Sequence, residues 1–251
     1  MQVDPITNGR SIPLRTSNCD FSNIINHRVQ LVRCFPLFSE ISQEDCARIV
    51  APAQERNLQR GKAIFFQGDT VQQVLLLTSG SVKLSQFSPD GQEVILRLIG
   101  PGESISAESC TKCTAHCSTA RTLEQSSALV WEAKTFEAVA ERFPVLRRNI
   151  GCDLQRLMNQ LEERYREICT QKVAPRLSSQ LLRLLTQVGK KSDGHVEISL
   201  SRRDLAQLTG TTLFTVSRLL CQWEVLGIVS PRREAVLVLD VPALVNLSRD
   251  E

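Results

Sequence analysis

Leu146, Ile150, Leu154, Leu157, Leu161, Tyr165 and Ile168 advance by three or four residues at a time, so a helix through them carries one narrow apolar seam. At 1.5 Å per residue the seam runs ~34 Å over about 22 residues. Arg147, Arg148, Asp153, Arg156, Glu162, Glu163, Arg164, Arg166 and Glu167 fill the other faces. So narrow a stripe on so long a helix needs a second helix to cover it, and we read it as a parallel homodimer contact; packing on the helix's own domain is the alternative. The helix also divides the chain into two parts with different periodicity.

Ahead of it the pattern is that of strands. Val74 to Leu77, Val82 to Leu84 and Val94 to Leu98 are short β-rich runs separated by Gly68-Asp69, Ser79-Gly80 and Pro89-Asp90-Gly91, the turn chemistry of successive hairpins. With a last strand at residues 128–131 and a helix at 134–142 that Pro144 breaks, this is a small antiparallel roll. A helix that Ser42 caps precedes the roll and carries Cys46 as a core residue. The first residues, with Pro5, Asn8, Gly9 and Pro13, show no apolar period. The expected division is an arm at 1–20, a roll at 21–143, a dimerisation helix at 144–170 and a C-terminal domain at 171–251.

Behind the long helix come a helix at 173–188, a polar loop at 190–194 and a strand from His195. A Ser201-capped helix at 202–208 follows, then the turn Thr209-Gly210-Thr211 and a helix at 212–226 closed by Gly227. Two helices joined by a tight glycine turn, with Leu205, Leu208, Val216, Leu219 and Leu220 on the inner side, form a helix-turn-helix. Residues 235–239 supply a wing strand after Pro231-Arg232-Arg233. A net charge of +3 permits a nucleic-acid partner without demanding one. No apolar run approaches the ~20 residues needed to cross a bilayer, so no membrane partner and a cytoplasmic location are expected.

Phe65-Phe66-Gln67-Gly68-Asp69 and Leu77-Thr78-Ser79-Gly80-Ser81-Val82-Lys83-Leu84 in the roll, with Ser201-Arg202-Arg203-Asp204-Leu205-Ala206 and Thr215-Val216-Ser217-Arg218-Leu219-Leu220 in the reader, resemble the CRP/FNR superfamily of bacterial transcription regulators. The likeness runs from about Leu37 to Val238. It implies an α+β chain with an N-terminal double-stranded β-helix (jelly-roll), a long dimerisation helix and a C-terminal winged helix-turn-helix. The partners it implies are a second copy, palindromic double-stranded DNA and RNA polymerase, and it implies no enzymatic activity. Thr212, Leu213, Phe214, Ser217 and Arg218 then fall on the DNA-facing side of the second reader helix, with Arg218 as the guanine reader. Arg202, Arg203, Arg232 and Arg233 fall where phosphates pass. Many members carry Glu where this chain has Phe214, which can touch a thymine methyl but cannot accept from cytosine.

The roll departs further from the family. The Arg-Ser or Arg-Thr pair that holds a cyclic nucleotide's phosphate aligns with His116-Cys117, and only Gly102-Glu103 survives of the ribose contact, which disfavours a cyclic nucleotide. In its place stands Cys110-Thr-Lys-Cys113-Thr-Ala-His116-Cys117, three thiols in eight residues of a chain with nine cysteines. Thiolates at this spacing suit soft-metal ligation. Our first reading is an iron–sulfur cluster of the 4Fe-4S type, sensing dioxygen, nitric oxide or redox state. Structural zinc is the second reading and a metal-free thiol switch the third. Cys152 is the first candidate for a fourth ligand, ahead of His116, Cys34, Cys19 or an exogenous ligand. The iron–sulfur branch of the family uses another set, and where its roll ligand belongs this chain has Trp131. An enzyme using Cys117 and His116 is the weakest reading, because no third orienting group is evident. Cys169 and Cys221 read as packing residues, and His27 and His195 as surface or satisfied histidines. In the resulting expectation the loop from Gly102 to Ser118 presses on the long helix and changes the seam near Leu154 to Leu161, and with it the spacing of the reader helices.

Overall fold

A computed structural model describes residues 18–107, 115–192 and 195–249 of the chain. The polypeptide opens with helix α1 (Asn18–Val32), a 3-10 turn at Pro36–Phe38 and helix α2 (Gln43–Val50), whose N-cap Ser42 accepts from the Asp45 amide. Eight strands follow: β1 (Gln54–Leu58), β2 (Ala63–Phe65), β3 (Gln73–Ser79), β4 (Val82–Phe87), β5 (Glu93–Ile99), β6 (Ser104–Ile105), β7 (Thr119–Thr122) and β8 (Ser126–Glu132). They form two four-stranded sheets, β1-β8-β3-β6 and β2-β7-β4-β5, with every pairing antiparallel. Leu75, Leu77, Val82, Ile99, Ala128 and Val130 fill the space between them, as alternation along paired strands requires. This is the expected jelly-roll.

Helix α3 (Ala133–Arg142) closes the roll, and Pro144 then starts rather than stops a helix: it occupies the first turn of α4 (Pro144–Thr170), where a missing N–H costs nothing. Trp131 is fully buried, donates its indole N–H to the Ile49 carbonyl at 2.9 Å and meets Phe136 edge-on, so it ties the roll to α2 as a core residue. The C-terminal domain comprises α5 (Val173–Gln187), β9 (Lys190–Ser192), β10 (His195–Ile198), α6 (Arg202–Thr209), α7 (Leu213–Val225), β11 (Val229–Pro231), β12 (Val236–Val238) and α8 (Val241–Arg249). Its sheet runs β11-β12-β10-β9, so the start of the expected polar loop at 190–194 is an edge strand.

Several expectations need correcting. Residues 1–17 lie outside the described residues, and the chain is already helical from Asn18, inside the expected arm. Leu146 and Ile150 are buried in the core that α2, α3 and β8 share, so the upper end of the apolar seam packs on its own roll. The seam is open only from Leu154 onward: Leu154, Met158, Leu161, Tyr165 and Ile168 are exposed, and Leu157 is half-buried. Cys169 and Cys221 are exposed thiols and pack in no core, whereas Cys46 is buried as expected.

The two domains also share a core. Ile95 and Leu98 of β5 join Leu181, Leu184, Leu205 and Leu208 of α5 and α6 in one apolar cluster. Lys83 of β4 lies beneath the reader, 3.0 Å from Glu93 of β5 and 3.2 Å from Asp204 of α6. Arg164 of α4 donates to the Leu208 carbonyl at 2.8 Å and to the Ile95 and Leu96 carbonyls. Glu167 of α4 holds Arg183 of α5 through two bonds of 2.8 and 2.7 Å, which fixes the angle between these helices.

Candidate nucleic-acid interface and sensor loop

The reader is built from its caps. Ser201 accepts from the Asp204 amide while Asp204 accepts from the Ser201 amide, the reciprocal box that starts α6. Gly210 ends α6 in the left-handed conformation, φ 61°, where a side chain would be strained. Thr212 then caps α7 by accepting from the Thr215 amide at 3.2 Å. Val216, Leu219, Leu220 and Trp223 face inward, and the opposite face is left to solvent. There Thr212, Leu213 and Arg218 are exposed, Phe214 is 85% exposed, and Ser217 is half-buried. A phenyl ring so fully in water beside an exposed Leu213 at the start of α7 is an uncommon expenditure of apolar surface.

The flanking arginines divide. Arg203 and Arg233 are exposed. Arg232, also exposed, lies 3.6 Å from Glu197 of β10, while Arg202 is half-buried with its Nε enclosed and unpaired. Lys191 stands on the exposed edge of β9, and its neighbour Lys190 is paired with Glu124 of the roll. Both lysines belong to the expected polar loop, because Lys-Lys-Ser-Asp-Gly carries no strand periodicity.

At the roll's open end, Cys110 and Cys113 lie outside the described residues, but both ends of their loop are fixed. Ala107, at the near end, lines a gap against Ile150, Asp153, Leu154 and Leu157 of α4. At the far end Ala115 bridges to Thr70, and the His116 ring stacks on Phe65 with centroids 3.4 Å apart. His116 Nδ1 is 3.2 Å from the Ser106 hydroxyl, and burial lowers its pKa although the Asp69 charge opposes this, so the imidazole is held neutral. Its ring is thereby engaged with Phe65 and Ser106 and not with the Cys117 thiol, as a nucleophile–base pair would require. Cys117 itself is exposed, with its carbonyl accepting from Gln86 at 2.7 Å. Cys152 is exposed on the flank of α4 and lines a cleft together with Pro36, Ser39 and Glu40 and with Leu84, Arg97 and Glu103 of the roll. Among the described residues no three His, Cys, Asp or Glu side chains converge as a metal site.

Residues 55–143 match the model of the cyclic nucleotide-binding domain, and residues 175–247 match the Crp-like helix-turn-helix domain. Over 186 residues the chain is 30% identical to the cyclic AMP receptor protein of Thermus thermophilus, covering 74% of this chain and 83% of that protein. The chain belongs to the CRP/FNR family. It is therefore a DNA-binding transcription regulator, in a family of regulators and not of enzymes. The fumarate and nitrate reduction regulatory protein of Vibrio cholerae is 22% identical over 197 residues, 78% of each chain. In fold it resembles FixK2 from Bradyrhizobium japonicum, with a TM-score of 0.69 at 21% identity, covering 79% of this chain and 98% of that one. Among the described residues no helix is long and apolar enough to cross a membrane.

The gap bounded by Arg97, Glu103, Ser104, Ala107 and the α4 residues named above measures about 10 Å³, room for one water at most. A far larger cleft of about 1110 Å³ adjoins it, lined by Leu84, Leu96, Arg97 and Glu103 of the roll and by residues of α4 and α5. Glu103 has its hydrogen bonds filled: its carboxylate accepts from the Gly100 amide at 2.8 Å, from Gln187 at 2.9 Å and from Arg156 at 3.4 Å.

Proposed function

We propose that this regulator is a homodimer that reads a palindromic operator and senses dioxygen, nitric oxide or redox state through an iron–sulfur centre on the loop between Ala107 and Ala115. The observation that carries the reading is the density of thiols on and just after that loop, Cys110, Cys113 and Cys117, combined with the position of its near end against α4. Cys117 offers an exposed thiol at the loop's far end, and Cys152 offers another on α4, one residue from the Asp153 that faces Ala107. Cys110, Cys113 and Cys117 with Cys152 would hold the centre. When bound it supplies one-electron redox chemistry and reactivity toward dioxygen and nitric oxide.

The protein's own part is mechanical and electrostatic. Ala107 transmits displacements of the loop to the α4 turn carrying Leu154 and Leu157, from which the open seam extends. On the DNA side, Arg218 reads guanine by a bidentate bond and Phe214 contacts a thymine methyl. Arg202, Arg203, Arg232 and Arg233 hold phosphates. Structural zinc on the same thiols is the second reading, because zinc accepts the same ligands.

The test is preparation without oxygen. The protein should be brown, absorb broadly near ~400 nm as thiolate-to-iron charge transfer does, and contain iron and acid-labile sulfide. Serine at Cys110, Cys113 or Cys117 should remove the colour, while Cys46→Ser and Cys221→Ser keep it. A colourless preparation with stoichiometric zinc would overturn the iron–sulfur reading and leave the DNA-binding function intact.

A further inference from the structure

We propose that the turn from Gly100 to Glu103 couples the roll's sensor loop to the DNA-reading domain, with Glu103 as the positioning residue that seats the reader. The inference deepens the sensor reading above and rests on it for the nature of the signal, but not for the contact itself. In the cyclic-nucleotide members a Gly-Glu pair at this place is implied to bind ligand. Here the Glu103 carboxylate is occupied by the protein. One oxygen accepts from Gly100 and from Gln187, the last residue of α5, and the other lies 3.4 Å from Arg156 of α4.

Three elements meet at this side chain: the roll's turn, the long helix and α5, the first helix of the C-terminal domain. Gln187 uses the same Nε2 to donate to the Leu98 carbonyl of β5 at 2.7 Å, so the C-terminal end of α5 is bound to both ends of the turn.

Backbone packing makes the seat tight. A methyl group on Gly100 would lie 2.3 Å from the Gln187 carbonyl oxygen, so the reader's backbone rests directly on the glycine. On the other side of the turn, a methyl on Gly102 would lie 2.7 Å from the Phe35 ring. The turn is gripped between Phe35 and α5 and has little freedom to move without moving one of them.

Glu103 leads through Ser104, Ile105, Ser106 and Ala107 into the thiol-bearing loop. A pull on the loop acts on Glu103 through β6, whose Ser104 and Ile105 pair with Leu76 and Leu75. Ser106 between them has a left-handed backbone, φ 67°, held in place while its hydroxyl faces His116. Strain of this kind at a non-glycine residue persists only where surrounding contacts enforce it. Release of the loop relaxes Ser106, shifts Glu103 and frees Gln187, and the reader loses its seat.

The test uses two substitutions that leave the thiols and the DNA-facing residues untouched. Gln187→Leu removes the donor, and Gly100→Ala drives a methyl into the Gln187 carbonyl; the backbone at Gly100 is not left-handed, so alanine is tolerated by the turn itself. Full-length protein is compared by hydrogen exchange and by affinity for DNA selected from a random pool with the wild type. Both variants should exchange faster at β5 and α6, and DNA affinity should change by at least about fivefold, the low end of measured couplings between sites. In anaerobic protein carrying the centre, the effect of air on DNA affinity should fall to less than half its wild-type size on a logarithmic scale.

Unchanged exchange in both variants would overturn the seat. Faster exchange with unaltered DNA affinity would reduce it to a structural contact and equally overturn the proposal. If wild-type protein carries no iron and ignores air, the sensor reading fails, and the exchange and basal-affinity measurements still decide the coupling.

Discussion

Replacing Lys83 with Met should loosen the reader from the roll. Lys83 is 8% exposed and its ammonium neutralises two carboxylates, Glu93 at 3.0 Å and Asp204 at 3.2 Å, whose side chains are 21% and 16% exposed. Removing one partner of a fully buried pair costs about 3–5 kcal/mol because the other charge stays buried and unpaired. Partial exposure of both carboxylates, and the bonds Asp204 keeps to Ser201, bring our figure to about 2–3 kcal/mol. For a chain of this size that is a fall in Tm of roughly 4–12 °C by circular dichroism.

The loss should also depend on pH. Burial by itself raises the Glu93 pKa, but hydrogen bonds from Lys83, Ser85 and Gln207 and the Lys83 charge outweigh it and hold the carboxyl below its ordinary value. In the wild type Glu93 therefore adds stability that is fully present above the ordinary carboxylate range and is lost as pH falls through its lowered pKa. Without Lys83 the dominant influence left is burial, so the variant should regain ground on the wild type as pH falls through the carboxylate range and Glu93 takes up a proton. A Tm within about one degree of wild type at neutral pH, or a gap that widens on acidification, would refute the reasoning.

Arg218→Ala should lower affinity for selected DNA by about 1–3 kcal/mol and relax preference at one base pair, with the dimer unchanged; competition gel shifts read both quantities. Joint replacement of Leu157 and Leu161 by Glu should give monomers in sedimentation, because like charges would face each other across the open half of the seam, and DNA affinity should fall with the dimer.

Local chemistry was readable wherever one residue determines one backbone feature. Ser42 and Ser201 each cap the helix they precede, and Gly210 takes the left-handed turn, whereas Thr212, read as the first residue of its helix, is the N-cap of α7. Strands with alternating apolar residues were readable too. By contrast β1 reads Gln-Glu-Arg-Asn-Leu and lies almost wholly exposed against β8, so apolar periodicity could not reveal it. The seam's repeat showed which face of α4 is apolar but not what covers it: Leu146 and Ile150 satisfy the same repeat by facing the roll.

Lys83 shows the other limit. Its neighbours Val82 and Leu84 point inward, so alternation assigns Lys83 to solvent, yet the reader lies over that surface through Asp204, remote in the sequence. The thiol cluster was conspicuous from the start because its residues are close in sequence. Gln187 was not, and Glu103 stood out only through the Gly102-Glu103 pair, because their contact forms only when the two domains are brought together.

Ile168, at the last exposed position of the seam, lies 3.7 Å from where a side chain on Gly210 would begin, at the bend between the two reader helices. Arg176 reinforces the junction, donating from one guanidinium to the Thr209 carbonyl at 3.0 Å, to Ile168 and Gln171 at 3.3 Å, and to Gly210 at 3.4 Å. Helix α4, at 27 residues, then behaves as a lever arm about 40 Å long with the roll at its short end. A tilt of about 5° about the roll displaces the reader's end by roughly 3.5 Å, as much as a whole hydrogen bond. In the proposed dimer on a two-fold site whose halves lie about 34 Å apart, rotations too small to register as a change of fold are therefore enough to take both recognition helices out of register with the grooves.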